Sequence, residues 1–316
     1  MATDSPTLPP TAVLLFYHYE SVSDVAAEVE WQRRSLEELA ITGRLRVAPA
    51  GLNGTLTGAE EALRQYTTMV SARFAESERI DWKFSPAKSD ELFDSLNVRA
   101  VDEVVSLGVP SELAPLEEAG RHVTPAAFHL LLLDYAAATS DASDAPVLLD
   151  VRNVYEHRIG RFEVPGITTL LPDVRQFADL PAWIDAHLPE LQGRPVLAYC
   201  TGGVRCESAS AYLRHKGAAF QDVVQLEGGI ERYLELFPTG GHFRGKNLVF
   251  DKRRSVAPYT GNPAEEDIIG RCQECGGKTD DYSPQCRCAR CRLLLLVCGR
   301  CAAEVAAAAS GAAGGT

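Results

Sequence analysis

The sequence predicts an α/β chain in three parts: an α+β unit, an α/β unit with a parallel sheet, and a small cysteine-rich metal-binding end. Three observations predict it. Between residues 12 and 84, strand-like and helical runs follow one another in the order β-α-β-β-α-β, the split βαβ or ferredoxin-like arrangement. Between 121 and 238, short apolar strands alternate with helices, which implies a mostly parallel sheet covered on both faces. Between 272 and 301 stand seven cysteines, six of them in three Cys-x2-Cys pairs. The expected parts are therefore 12–110, 121–240 and 241–301, with the Ala/Gly/Ser-rich 302–316 as a disordered tail.

In the first part, Val13–Tyr19 is a strand, and Val22–Ile41 has helical periodicity with Ser23 as N-cap and Gly43 just past its end. Strands at Arg44–Ala48 and Gly54–Thr57 flank a glycine-rich bend at Gly51–Gly54. A helix over Glu60–Phe74 and a strand over Ile80–Phe84 complete the unit. Acylphosphatase-like domains share this fold. Their glycine-rich phosphate loop is missing here, so the expected role is binding or positioning. Alternation along the first strand makes at least half of Tyr17, His18 and Tyr19 ordinary core. Prolines 86, 110 and 115 mark a linker, with a strand expected at Ala100–Leu107.

In the second part, Thr124 followed by Pro125 at the first helical position starts a helix. Pro146–Val151 is a buried strand ending in the polar residues Asp150, Arg152 and Glu156, where α/β proteins place their crevices. Arg194–Tyr199 is another buried strand, and a helix is expected over Ser208–Lys216, stopping at Gly217. Between them runs Cys200-Thr201-Gly202-Gly203-Val204-Arg205-Cys206. Two glycines let this loop curl with its amides inward, and a helix start follows, so the loop favours an anion. A thiol placed there ionises more readily, because its thiolate is the anion being favoured. Arg205 adds fixed positive charge. Val223–Leu226 is a further strand, leading into the glycine turn Glu227-Gly228-Gly229.

Cys-x2-Cys spacing brings two thiolates to one tetrahedral ion from a tight turn, so Cys272, Cys275, Cys286, Cys288, Cys291, Cys298 and Cys301 point to zinc. Seven thiols exceed the four of one closed site and fall one short of two; one zinc with spare thiols, and two sites completed by another ligand, both stay open. So short a segment has little core, and metal binding would supply its folding energy.

The 316 residues carry a formal charge of −12, which argues against a protein that coats nucleic acid over its whole surface. The charge is uneven: residues 242–301 are +4 and the remainder −16, so a local nucleic-acid contact at that end is open. No apolar run reaches the length of a membrane span, and the polar, proline-rich start has no signal core. A cytoplasmic protein is expected, where thiols stay reduced and nine cysteines mean catalysis and metal rather than disulfides.

The 200–206 loop resembles the active-site loop of the rhodanese superfamily, whose cysteine carries sulfur as a persulfide. Four residues separate Cys200 from Arg205, as in rhodaneses; the related Cdc25-type phosphatases carry one more. Asp150-Val-Arg152-Asn-x-Tyr-Glu156 and Leu226-Glu-Gly-Gly-Ile230 are further rhodanese marks, the former holding the fold and lining the site. Together with Gly51-Leu-Asn-Gly-Thr55, Leu248-Val-Phe-Asp-Lys-Arg253 and the cysteine-rich end, the chain over 12–301 is similar to the rhodanese-domain tRNA uridine hydroxylase family. That resemblance implies oxygen-dependent formation of 5-hydroxyuridine at the tRNA wobble position, with tRNA, O2 and an electron donor as partners and Cys200 as catalytic cysteine. The residues themselves identify no redox cofactor and no oligomeric state. Cys206 is either a resolving thiol for an oxidised Cys200 or a plain buried cysteine at a helix start. Two other functions compete: a sulfurtransferase using thiosulfate or a persulfide donor, and a non-enzymatic RNA-binding scaffold.

Overall fold

The computed structural model describes residues 10–138, 145–258 and 267–304, which form two compact units. The first holds the described residues up to Ser106 together with Phe250–Arg253; the second runs from Leu107 to Val249 and onward from Arg254.

In the first unit, β1 (Thr11–Tyr19), α1 (Val25–Glu38), β2 (Thr42–Ala48), β3 (Gly51–Ala59), α2 (Glu60–Ser71), β4 (Lys83–Pro86) and β5 (Leu96–Ala100) build one sheet in the order β4-β1-β3-β2-β5. β1, β2, β3 and β4 pair antiparallel, and β5 adds in parallel to β2. Leu14, Phe16, Leu45, Leu52 and Leu56 on one face meet Leu36 of α1 and Leu63, Tyr66 and Val70 of α2.

The local expectations shift in several places, and the strand expected over Ile80–Phe84 begins only at Lys83 and runs to Pro86. Asp24, not Ser23, caps α1: its carboxylate accepts the Ala27 amide at 2.9 Å. Gly51–Gly54 is not a bend but the start of β3, because Pro49 and Ala50 alone make the turn between β2 and β3. The strand expected at Ala100–Leu107 lies earlier, at Leu96–Ala100, where β2 offers a free edge. Tyr17 and Tyr19 share the face opposite His18, which is buried, as alternation requires.

The second unit contains β6 (Arg121–Val123), α3 (Pro125–Ala137), β7 (Val147–Asp150), α4 (Val154–His157), β8 (Gly160–Phe162), β9 (Thr168–Leu170), α5 (Leu180–Ala186), α6 (Leu188–Leu191), β10 (Val196–Tyr199), α7 (Val204–Arg214), β11 (Val223–Leu226) and α8 (Gly229–Leu236). Five of the strands make a wholly parallel sheet, β6-β11-β10-β7-β9. Its three inner strands, β11, β10 and β7, are buried on both faces, which is why they read as continuous apolar runs. Phe162 centres the core below β10, meeting the rings of Phe128, Tyr199, Tyr233 and Phe243 edge-on at 4.7–5.6 Å. Burying each such ring contributes about 1.5–3 kcal/mol. Because Tyr199 directly precedes Cys200, this packing fixes where the loop begins.

Past α8 come β12 (Phe243–Gly245), paired with β8, and the two-residue strands β13 (Asn247–Leu248) and β14 (Ser255–Val256). Residues 245–254 thus contribute only short strand pieces. Residues 299–304 are helical, so the tail's order reaches past 302; the rest of the expected disordered segment lies outside the described residues. No helix among the described residues is long and apolar enough to cross a membrane.

Candidate active site

Cys200 leaves the carboxyl end of the central strand β10, and the chain turns at Gly203, whose φ of 102° favours glycine. The turn makes α7 begin at Val204, four residues before the helix start expected at Ser208, so Arg205 and Cys206 lie in its first turn. α8 supports the loop from beneath: the Ile230 amide donates to the Cys200 carbonyl at 2.9 Å and the Glu231 amide to the Thr201 carbonyl at 3.1 Å. Gly229 permits this approach, since a Cβ there would stand 2.6 Å from the Thr201 carbonyl oxygen.

The Cys200 sulfur is fully buried, with amides converging on it; the Gly203 N–H donates to it at 3.1 Å. Burial alone pushes the thiol up. The Cys206 thiol donating to it, the Arg205 charge and the Arg205 and Gly203 amides outweigh burial and bring it down to about 6. Burial and the neighbouring Cys200 sulfur hold Cys206 well above the ordinary thiol range, so it stays protonated as the donor. Of residues 200–206, Val204 alone is half-exposed; the others are buried.

Arg205 is held on both sides. Its guanidinium forks onto Glu156, with N–O distances of 2.7 Å to each carboxylate oxygen, and donates to the Thr201 hydroxyl at 3.2 Å. Glu156 therefore reaches the loop directly from α4. Asp150 and Arg152 instead turn to each other, both fully buried: Nε to Oδ1 is 2.8 Å and the second arm to Oδ2 is 2.6 Å. The same arginine donates to the Gly160 carbonyl at 2.6 Å, which pins β8 to the end of β7. Although burial pushes the other way, the Arg152 charge holds the Asp150 carboxyl below its usual range.

The cysteine-rich end gathers four of its seven thiols. The sulfurs of Cys272, Cys275, Cys298 and Cys301 lie within 4.8 Å of one another, the only such group among the described residues. Cys275 and Cys298 sulfurs are 3.7 Å apart, and the Cys298 amide donates to the Cys272 sulfur at 3.3 Å. The Cys275 and Cys298 amides bring the Cys272 thiol down to about 6, while the Cys275 and Cys298 thiols push Cys301 up to about 12. Four sulfur donors from two knuckles, with amides aimed at the thiolates, suit a tetrahedral metal ion. Cys286 packs against this group without joining it, and Cys288 receives the Cys291 and Arg290 amides in a separate turn.

Sequence reasoning missed how this end meets the α4 segment. Tyr155, the residue before Glu156, packs with Leu294 against a small core of Ile159, Leu248, Tyr282 and Leu296, and Tyr282 donates its hydroxyl to the Tyr155 carbonyl at 2.8 Å. The available signal was a lone Tyr282 within an otherwise polar run, Lys278–Gln285.

Three families match consecutive stretches: the UPF0176 acylphosphatase-like domain over residues 11–104, the rhodanese-like domain over 133–236, and the rhodanese C-terminal domain over 244–312. The chain is 44% identical over 299 residues to rhodanese-like domain-containing protein 6 of Arabidopsis thaliana, covering 92% of this chain and 50% of that protein. The chain thus spans about half the length of that relative. It is 33% identical over 302 residues to the tRNA uridine(34) hydroxylase of Corynebacterium jeikeium, covering 95% of this chain and 93% of that one. With the tRNA uridine(34) hydroxylase of Cytophaga hutchinsonii it shares 38% identity over 270 residues, 85% of this chain and 78% of that one.

Proposed function

The chain belongs to the tRNA uridine(34) hydroxylase family, and from that premise we propose that it hydroxylates C5 of the wobble uridine in tRNA, with Cys200 as catalytic cysteine. The observation that carries this is the match over almost the whole length of a relative so named, spanning all three parts of the chain. The low-lying Cys200 thiol in its ring of amides supports the role of the loop. Hydroxylation of a ring carbon takes one oxygen atom from O2 into C5, sends the other to water and consumes two electrons from a donor. The chain's own residues hold Cys200 ionised, with Glu156 and Thr201 fixing the Arg205 charge and Cys206 staying protonated as a donor to the sulfur. Asp150 and Arg152 act from behind, setting the strand end from which the loop leaves.

The four-cysteine cluster holds zinc in this reading, closing the C-terminal segment rather than entering the chemistry. The protein works in the cytoplasm, where its tRNA substrate is. The test is mass spectrometry of tRNA nucleosides from a strain lacking the protein, complemented with wild type or with Cys200→Ala. 5-Hydroxyuridine returning with wild type alone supports the proposal; its return with the alanine variant, or its failure to return with either, ends it.

A sulfurtransferase reading is favoured by one observation, the rhodanese-like match over the loop. Cys200-dependent release of thiocyanate from thiosulfate and cyanide, without 5-hydroxyuridine, would establish it instead. A scaffold role requires that Cys200→Ser keep full cellular function.

A further inference from the structure

The reading of tRNA as substrate leaves open where the chain grips a polyanion, given its −12 formal charge. Between Asp281 and Glu304 the sequence has four arginines and no acid. Three of them, Arg287, Arg290 and Arg292, sit on the turn that carries Cys288 and Cys291, and all three are exposed. The turn is well built: the Cys288 amide donates to the Leu293 carbonyl at 2.9 Å and the Arg292 amide to the Cys288 carbonyl at 2.8 Å. The Arg287 guanidinium donates to the Arg292 carbonyl at 3.2 Å, and Arg292 itself adopts a φ of 60°.

This turn lies beside the catalytic loop's support. Arg287 pairs across the turn with Leu294, which packs on the same small core (Ile159, Leu248, Tyr282 and Leu296) as Tyr155 does. Tyr155 adjoins Glu156, the carboxylate that holds Arg205. The Val154 amide donates to the Val174 carbonyl at 2.8 Å, which places exposed Arg175 along the same α4 segment. Arg175 lies within electrostatic reach of the Cys288 thiol, and Arg287 within reach of the Tyr155 hydroxyl. None of these four arginines forms an ion pair with a described residue, whereas Arg33, Arg64, Arg79 and Arg232 each face a carboxylate.

We propose that Arg175, Arg287, Arg290 and Arg292 form the surface that grips tRNA phosphates beside the Cys200 loop. Arginine keeps its charge at any working pH and presents a planar fork that fits two phosphate oxygens. Four exposed forks that pair with no described carboxylate give a local positive field within an acidic protein, and phosphate contacts of this kind set the register of a nucleic acid without reading its bases.

The experiment compares three full-length proteins: wild type, R175Q/R287Q/R290Q/R292Q, and the charge-matched R33Q/R64Q/R79Q/R232Q. Binding of an unmodified tRNA transcript is followed by fluorescence anisotropy across a salt series, with hydroxylation assayed on the same tRNA. Each phosphate contact adds about 0.7 to the slope of log affinity against log salt for a single strand, so the slope should fall by about 3 in the first variant. The tRNA KM should rise in that variant, and the charge-matched protein should keep the wild-type slope. An unchanged slope, an equal loss in the charge-matched protein, an unchanged KM, or a wild type that does not bind tRNA overturns the proposal. R290Q/R292Q, confined to the exposed turn, carries the same test should the four-residue variant not fold; its slope should fall by about 1.4. A wild type that binds tRNA through these arginines but makes no 5-hydroxyuridine would refute the hydroxylase reading and leave this surface standing.

Discussion

The second unit contains two sulfur sites built on opposite principles. The Cys200 loop stands on fourteen buried residues of a continuous core, and its lone thiol is ionised by oriented amides, a neighbouring thiol and an arginine. Among the described residues the C-terminal cluster has Cys272, Val297 and Cys301 as its buried core, and two of those are among its own four gathered thiols. A packed sheet can hold one charged sulfur in a fixed field without a metal. A segment with almost no core has to draw order from what its thiols bind. On the proposed function the same residue type serves as a reagent in one place and a fastener in the other, according to whether the surrounding chain is already folded.

The sharpest way to break this contrast is to remove the metal. Stripping the purified protein with a chelator should release one zinc ion per chain and abolish hydrogen-exchange protection over 270–304, since structural zinc binding is worth about 10–16 kcal/mol at neutral pH. Cys200 alkylation, read by peptide mass spectrometry, should keep its pH profile. A protein that is metal-free yet protected over that segment contradicts the fastener role.

Glu156→Ala comes next in size. It leaves the buried Arg205 guanidinium without its carboxylate, and losing one partner of a buried pair costs about 3–5 kcal/mol. Urea unfolding should show that loss, together with slower Cys200 alkylation at neutral pH; a change under about 1 kcal/mol, the range of exposed pairs, would mean the pair is screened by water.

The pH dependence of the loop is a smaller but more direct probe. With the Cys200 thiol down at about 6 against an ordinary value of about 8.5, iodoacetamide should react half-maximally near pH 6. The sign for stability follows: folding favours the thiolate, so this contribution is complete above the unfolded value and is lost as pH falls through about 6. A midpoint near the ordinary thiol value would refute the anion-stabilising loop. The mildest change is Cys206→Ala, which removes the S–H donor and should move the alkylation midpoint upward while leaving metal content unchanged; no movement would show that the amides and Arg205 suffice.

Much of the loop was legible from residues close together in the chain. Cys200 at a strand end, the Gly202–Gly203 curl and Arg205 beside them all follow from local rules. Its detail was not: Gly203 at positive φ starts α7 at once, so Arg205 and Cys206 are helix residues rather than loop residues. The N-cap of α1 slipped by one residue because Ser23 and Asp24 are both good caps, and it is Asp24 that takes the extended angles and accepts the Ala27 amide. The three Cys-x2-Cys pairs announced metal, yet their spacing left open which four thiols would gather.

By itself the sequence determined the β-α-β-β-α-β order of the first unit, the main strand–helix alternation of the second, the position of the Cys200 loop and the presence of a metal-type cysteine cluster. Each is encoded within a turn or two of chain, by periodicity, glycine placement or ligand spacing. Only the tertiary structure decided that Glu156 holds Arg205 across 49 residues, that Cys272 and Cys275 gather with Cys298 and Cys301, and that Tyr282 docks on Tyr155. Those pairings join residues far apart in sequence, and they are selected by the packing of whole elements, for which no local pattern carries a signal.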